Sequence, residues 1–157
     1  MRNVFAVAAI VGLVVGGCAS GPRGKVQQPK EAREIAGRLL EIMDACEKKD
    51  FVRLESYHLY GPKFTKFSTE SAGRLEAEVA RKGERDGLSA VNGLSMRADD
   101  LKIDVFGKVG IATFVLNYSF KAGEETIEKQ AKTTMVFVKE DSKWKIAHEH
   151  LSAGPEK

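Results

Sequence analysis

The hydrophobic period changes partway along this 157-residue chain, and that change limits the fold more than any single motif. Up to about residue 85 the apolar residues recur every three or four positions. From Met96 onward they recur every two. Ala32, Ile35, Ala36, Leu39, Ile42, Met43 and Cys46 make one stripe and predict a helix over residues 30–49, with Pro29 at its start. Asp50 is placed to cap a short second helix holding Phe51, Leu54 and Tyr57. Gly61-Pro62 breaks the chain, and residues 64–67 read as a brief extended segment. Ser68 or Thr69 begins a third helix over residues 69–85, with Ala72, Leu75 and Val79 inward. Gly83, Gly87 and Gly93 then suggest a loop over residues 86–95.

Beyond it, Leu101, Ile103 and Val105 alternate with Lys102 and Asp104. Turns at Gly107-Lys108, Ala122-Gly123-Glu124 and Glu140-Asp141-Ser142 separate strands over 109–120, 126–138 and 143–151. Such short connections give an antiparallel meander. Helices first and strands later define an α+β class with helices over one face of a curved sheet.

The first segment has a separate logic. Arg2 precedes a twelve-residue apolar run, Val4 to Val15, which suits a signal-peptide core and is too short to span a bilayer. Gly16-Gly17-Cys18 follows and resembles the bacterial lipoprotein cleavage box. That resemblance implies a signal peptide over 1–17 and acylation of Cys18 with palmitate-type chains, which partner the chain with a lipid bilayer. Residues 18–29, rich in Gly, Pro and small polar groups, read as a flexible tether, and 30–153 as the folded domain. Ala19 in place of Asp resembles outer-membrane sorting, facing the periplasm where the host has two membranes. With Cys18 lipidated, Cys46 is left alone on a helix's apolar face, as a small core residue. The net charge of +3 is small and no dense Lys/Arg block occurs, so no nucleic acid is expected as a partner.

The order of parts carries a resemblance. Asp50-Phe51, Pro62-Lys63-Phe64-Thr65-Lys66-Phe67, Asp141-Ser142-Lys143-Trp144, and His148-x-His150 followed by Ser152 and Pro155 resemble the SnoaL-like group of the nuclear transport factor 2-like superfamily. Within it, the chain is similar to the association (hub) domain of calcium/calmodulin-dependent kinase II. The resemblance implies a cone-shaped, cystatin-like fold enclosing a pocket, and homodimers or larger homo-oligomers formed through the sheet. The hub's pocket arginines fall here on Met135 and Leu151, so capture of an acid by paired arginines does not carry over.

In the last strand, strict alternation puts Trp144, Ile146, His148 and His150 on one face and Glu149 on the other. His148 and His150 have no visible third ligand, so no metal and no cofactor is expected. For acid–base chemistry the candidates are Glu149 and His58. Tyr57, His58, Phe64, Phe67, Met135 and Glu149 are candidates for the wall of a pocket that takes a small apolar or weakly polar ligand. Asp99-Asp100 read as a solvated strand start. The strand over 109–120 is apolar on both sides at Ile111, Phe114, Val115 and Leu116, with Val136 and Val138 beside it. Subunit association is the expected cover for the second face, burying Trp144 or the histidines. These residues suggest a lipid-anchored envelope protein with a non-catalytic oligomerising or ligand-binding domain. The alternative is a pocket enzyme of isomerase or hydratase type using Glu149 or His58 as general base.

Overall fold

The computed structural model describes residues 29–154. The expectations for residues 1–17 and for Cys18 therefore lie outside the described residues, as does almost all of the tether. Three helices precede most of one sheet: α1 (Lys30–Glu47), α2 (Phe51–Ser56), β1 (Thr65–Phe67), β2 (Leu75–Glu76), α3 (Ala77–Ala90), β3 (Asn92–Phe106), β4 (Val109–Ala122), β5 (Glu125–Glu140) and β6 (Lys143–Ala153). The sheet order is β2-β1-β6-β5-β4-β3. The expected meander is β3 to β6, antiparallel throughout. β1 adds to it in parallel with β6, and β2 pairs antiparallel with β1. No helix among the described residues is long and apolar enough to cross a membrane.

α1 follows its stripe. Ala32, Ile35, Leu39, Ile42, Met43 and Cys46 are all buried against the sheet. Its approach to β4 depends on Gly110, where an added Cβ would lie 2.2 Å from Ile35 Cδ1. Asp50 caps α2 by accepting from the Arg53 backbone N–H at 3.1 Å.

The third helix differs from the expectation. It starts at Ala77 rather than near residue 69 and runs to Ala90, into the expected loop over 86–95, most of the rest of which belongs to β3. Pairing of Lys66 with Leu75 draws residues 75–76 into the sheet and delays the helix. Its buried residue is Ala80, while Val79 is 60% exposed and Ala72 lies outside the helix altogether. Gly83 and Gly87 are accommodated within it.

Two irregularities set which side chains face inward. In β3 the register shifts between Asp99 and Lys102, where Asp100 has φ 52°. Asp99 and Asp100 thus lie inside a strand at a bulge, not at a strand start. In β6 the register shifts so that Val136 faces His148 while Phe137 faces Ile146, leaving Ala147 as an extra residue. Alternation restarts there. Trp144, Ile146 and Glu149 are 2%, 0% and 3% exposed and share the helix-covered face. His148 and His150 share the other face with Thr65 and Phe67. The pair does share a face, as alternation predicts, but not with Trp144. Nor is Trp144 available to cover a partner: its indole N–H donates to Glu34 Oε2 at 3.0 Å beneath α1.

Phe114 and Leu116 belong to the buried core, whereas Ile111, Val115, Val136 and Val138 occupy the opposite face, half-exposed. There the register sets Ile111 across from Val136 and Val109 across from Val138. Phe106 and Phe67 are 65% and 39% exposed.

Candidate functional site

Four ionisable side chains from four elements meet in the interior. Asp50 starts α2, which ends so that His58 bridges in parallel to Ile146 of β6. Lys66 lies opposite Glu149 in the parallel register of β1 and β6. Glu84 comes from α3, one turn beyond buried Ala80.

Lys66 Nζ reaches Glu84 Oε1 at 2.5 Å and Glu149 Oε2 at 2.7 Å. His58 Nε2 faces Glu149 Oε1 at 3.5 Å and Glu84 Oε2 at 3.8 Å. The Tyr60 hydroxyl donates to Glu84 Oε2 at 2.7 Å. Rings wall the cluster: His58 stacks on Tyr60 with centroids 4.7 Å apart, and Phe64 meets both edge-on.

Burial and charge oppose one another here. For Glu149, burial raises the carboxyl's pKa, but Lys66 and then His58 outweigh it and hold the group well below the usual carboxylate range. For His58, burial favours the neutral ring, yet Glu149 and Glu84 prevail and the net direction is upward. Lys66 follows the same pattern: burial pulls it down, the two carboxylates push it further up. Cys46, nearby, is raised to about 12, mainly by burial, and is an inert core thiol.

Among the residues expected to line a pocket, the fold brings His58, Phe64 and Glu149 together, with Met135 directly across from Glu149 in the β5–β6 ladder. Tyr57 is buried, but its hydroxyl accepts from Arg53 Nε at 2.7 Å and Arg38 covers its ring. Phe67 is a correction: it lies on the opposite face, against the His148 and His150 rings. Lys66 and Glu84 were missed. Their signals are faint but present. Lys66 alternates with buried Phe64's neighbour Thr65, and a lysine on an aromatic core face requires a counter-charge. Glu84 continues the Ala80–Leu88 stripe, where an acid needs a partner.

Two open clefts lie away from the cluster. One of about 900 Å³ is bordered by Thr69, Met96, Tyr118 and Lys129. One of about 300 Å³ lies beside Thr113, Thr134 and His150. Neither is lined by His58, Lys66, Glu84 or Glu149.

A helix-covered curved sheet of this order is the nuclear transport factor 2-like fold, and solved structures align with it closely. A candidate dehydratase of that family from Streptomyces avermitilis superposes with a TM-score of 0.72 at 16% identity, over 80% of this chain and 97% of that one. The CaMKII hub of S. rosetta gives 0.69 at 22% identity, over 82% and 100%. The association domain of C. elegans CaMKII gives 0.67 at 19%, over 78% and 95%. The family model for the SnoaL-like domain matches residues 35–155, and the chain belongs to that family. No curated protein matches the chain significantly.

Proposed function

We propose that this protein is a lipid-anchored envelope protein whose SnoaL-like domain is a non-catalytic, self-associating module. The observation that carries self-association is the sheet face opposite the helices. Val109, Ile111, Val136 and Val138 form adjacent cross-strand pairs there, half-exposed, with Phe106 and Phe67 protruding at its margins. A contiguous apolar patch of this kind is a protein-contact feature. The hub and association domains similar in fold are named for assembly, which supports the same reading. Anchoring rests on the Arg2, Val4–Val15, Gly16-Gly17-Cys18 sequence and places the domain at the envelope, on the periplasmic side of an outer membrane where one exists.

The interior favours the non-catalytic reading. A general base works best with a pKa near the operating pH. Glu149 is held far below it by Lys66 and His58, so it is a weak base. Sedimentation velocity of residues 25–157 at micromolar concentration tests the proposal. A dimer or larger species is expected, converted to monomer by Ile111→Lys with Val136→Lys while the circular dichroism is retained. A wild-type monomer overturns it.

The buried His58–Glu84–Glu149 constellation supports a second function, a pocket enzyme of isomerase or hydratase type, in line with the candidate dehydratase of the same fold. His58 is then the better base. A co-purified small molecule in contact with His58 or Glu149 in a crystal structure would favour this alternative.

A further inference from the structure

His58 is oriented in a way that a simple ion pair does not require. Its Nδ1 lies 3.0 Å from the Leu54 carbonyl oxygen. A carbonyl only accepts, so Nδ1 carries a proton and donates it. Once Nε2 gives up its proton, as metal binding requires, it presents a lone pair. Metal-bound histidines are commonly held in this way, with the far nitrogen donating to a backbone carbonyl.

That Nε2 is fully buried and has no hydrogen-bond partner. Its neighbours are two carboxylate oxygens, Glu149 Oε1 at 3.5 Å and Glu84 Oε2 at 3.8 Å. A charge-assisted N–H···O bond is shorter, about 2.7–2.9 Å. A tetrahedral ion with bonds of roughly 2.0–2.2 Å sets its ligand atoms about 3.3–3.6 Å apart. The separations are near this second geometry. Among the described residues, His58, Glu84 and Glu149 are the group whose donor atoms all lie within 4.8 Å of one another.

Lys66 does not occupy this position. It holds the other oxygen of each acid, Glu84 Oε1 and Glu149 Oε2. It orients the two carboxylates from behind and leaves Oε2 of Glu84 and Oε1 of Glu149 turned toward Nε2. Two carboxylates and one ammonium leave a net negative charge facing the lone pair. A divalent cation reverses that sign, and three protein ligands of a tetrahedral ion would leave its fourth position to water or an anion. The Lys66 and Glu84 side chains are 13% and 14% exposed, against 1% for His58, so the site reaches solvent on their side.

We infer that His58 Nε2, Glu149 Oε1 and Glu84 Oε2 form a binding site for one divalent transition-metal ion. One nitrogen and two carboxylate oxygens suit zinc, and iron or manganese less selectively. The site lies on the opposite face of the sheet from His148 and His150, and it is independent of self-association.

The test uses the full-length chain, stripped with chelator and titrated with Zn²⁺ by calorimetry. One ion per chain is expected. His58→Gln and Glu84→Gln should each weaken binding at least tenfold, and His150→Ala should leave it unchanged. Should either variant misfold, the wild type decides: Co²⁺ should give the intense visible bands of a four-coordinate ion, abolished by added Zn²⁺. Absence of both zinc uptake and cobalt bands in folded wild type overturns the inference. So does zinc binding that is unchanged in a folded His58→Gln protein.

Discussion

Lys66 and Glu149 face each other across a parallel pair of strands, with Nζ 2.7 Å from Oε2, in a part of the sheet where neither side chain reaches bulk water freely. The attraction offsets the desolvation of both groups only while both are present. Glu84 doubles the dependence, because the same ammonium serves its carboxylate.

Lys66→Met should therefore leave two buried carboxylates confronting one another. Loss of one partner from a buried ion pair destabilises by about 3–5 kcal/mol. Urea unfolding of the metal-free protein should show a loss of that order. A change below roughly 1 kcal/mol, the range of an exposed pair, would mean that the cluster is solvated.

The two ends of the cluster should respond to pH with opposite sign. Glu149 is depressed in the folded state, so its contribution is complete above its ordinary value near 4.5 and disappears as pH falls. His58 is raised, so its contribution is complete below its ordinary value near 6.5 and disappears as pH rises through the folded value. The stability gap between wild type and Glu149→Gln should narrow on acidification, and that for His58→Gln on alkalinisation. Gaps that are flat with pH would contradict these directions.

Gly110→Ala probes the seat of α1. The added methyl meets Ile35 Cδ1, the tip of a buried side chain with little room to turn. Overpacking of this kind costs about 1–3 kcal/mol. The loss should be largely recovered by Ile35→Val, which removes the colliding carbon. Denaturant melts of both proteins check this.

The proposed anchoring makes membrane attachment depend on Cys18. Mass spectrometry of the membrane fraction should find an acylated mature terminus at that residue. Cys18→Ala should release the protein to the soluble fraction. Equal membrane retention by the processed variant would count against acylation.

Much of this fold was legible because its parts obey simple periods. The stripe of α1, the Asp50 cap, the meander and its turns follow directly from spacing. The site was legible only in pieces. Glu149 and His58 stood out as ionisable groups near apolar ones, but Lys66 and Glu84 acquire meaning only once β1 joins β6 and α3 lies beside them. That parallel pairing is a contact between residues more than eighty positions apart, which no local period encodes. The start of α3 failed for a related reason: residues with helical spacing were claimed by the sheet.

Ala147 has a consequence for how this domain can change. It is the extra residue that offsets one half of β6 from the other. Were Ala147 instead counted into a regular ladder, strict alternation would turn Glu149 outward and bring His148 and His150 into the interior. The strand is in effect two reading frames joined at one position. The frame shift keeps an acid for the core while assigning both imidazoles to the opposite face: a strand that lost Ala147 would keep these faces, whereas one that kept the residue and lost the bulge would exchange them.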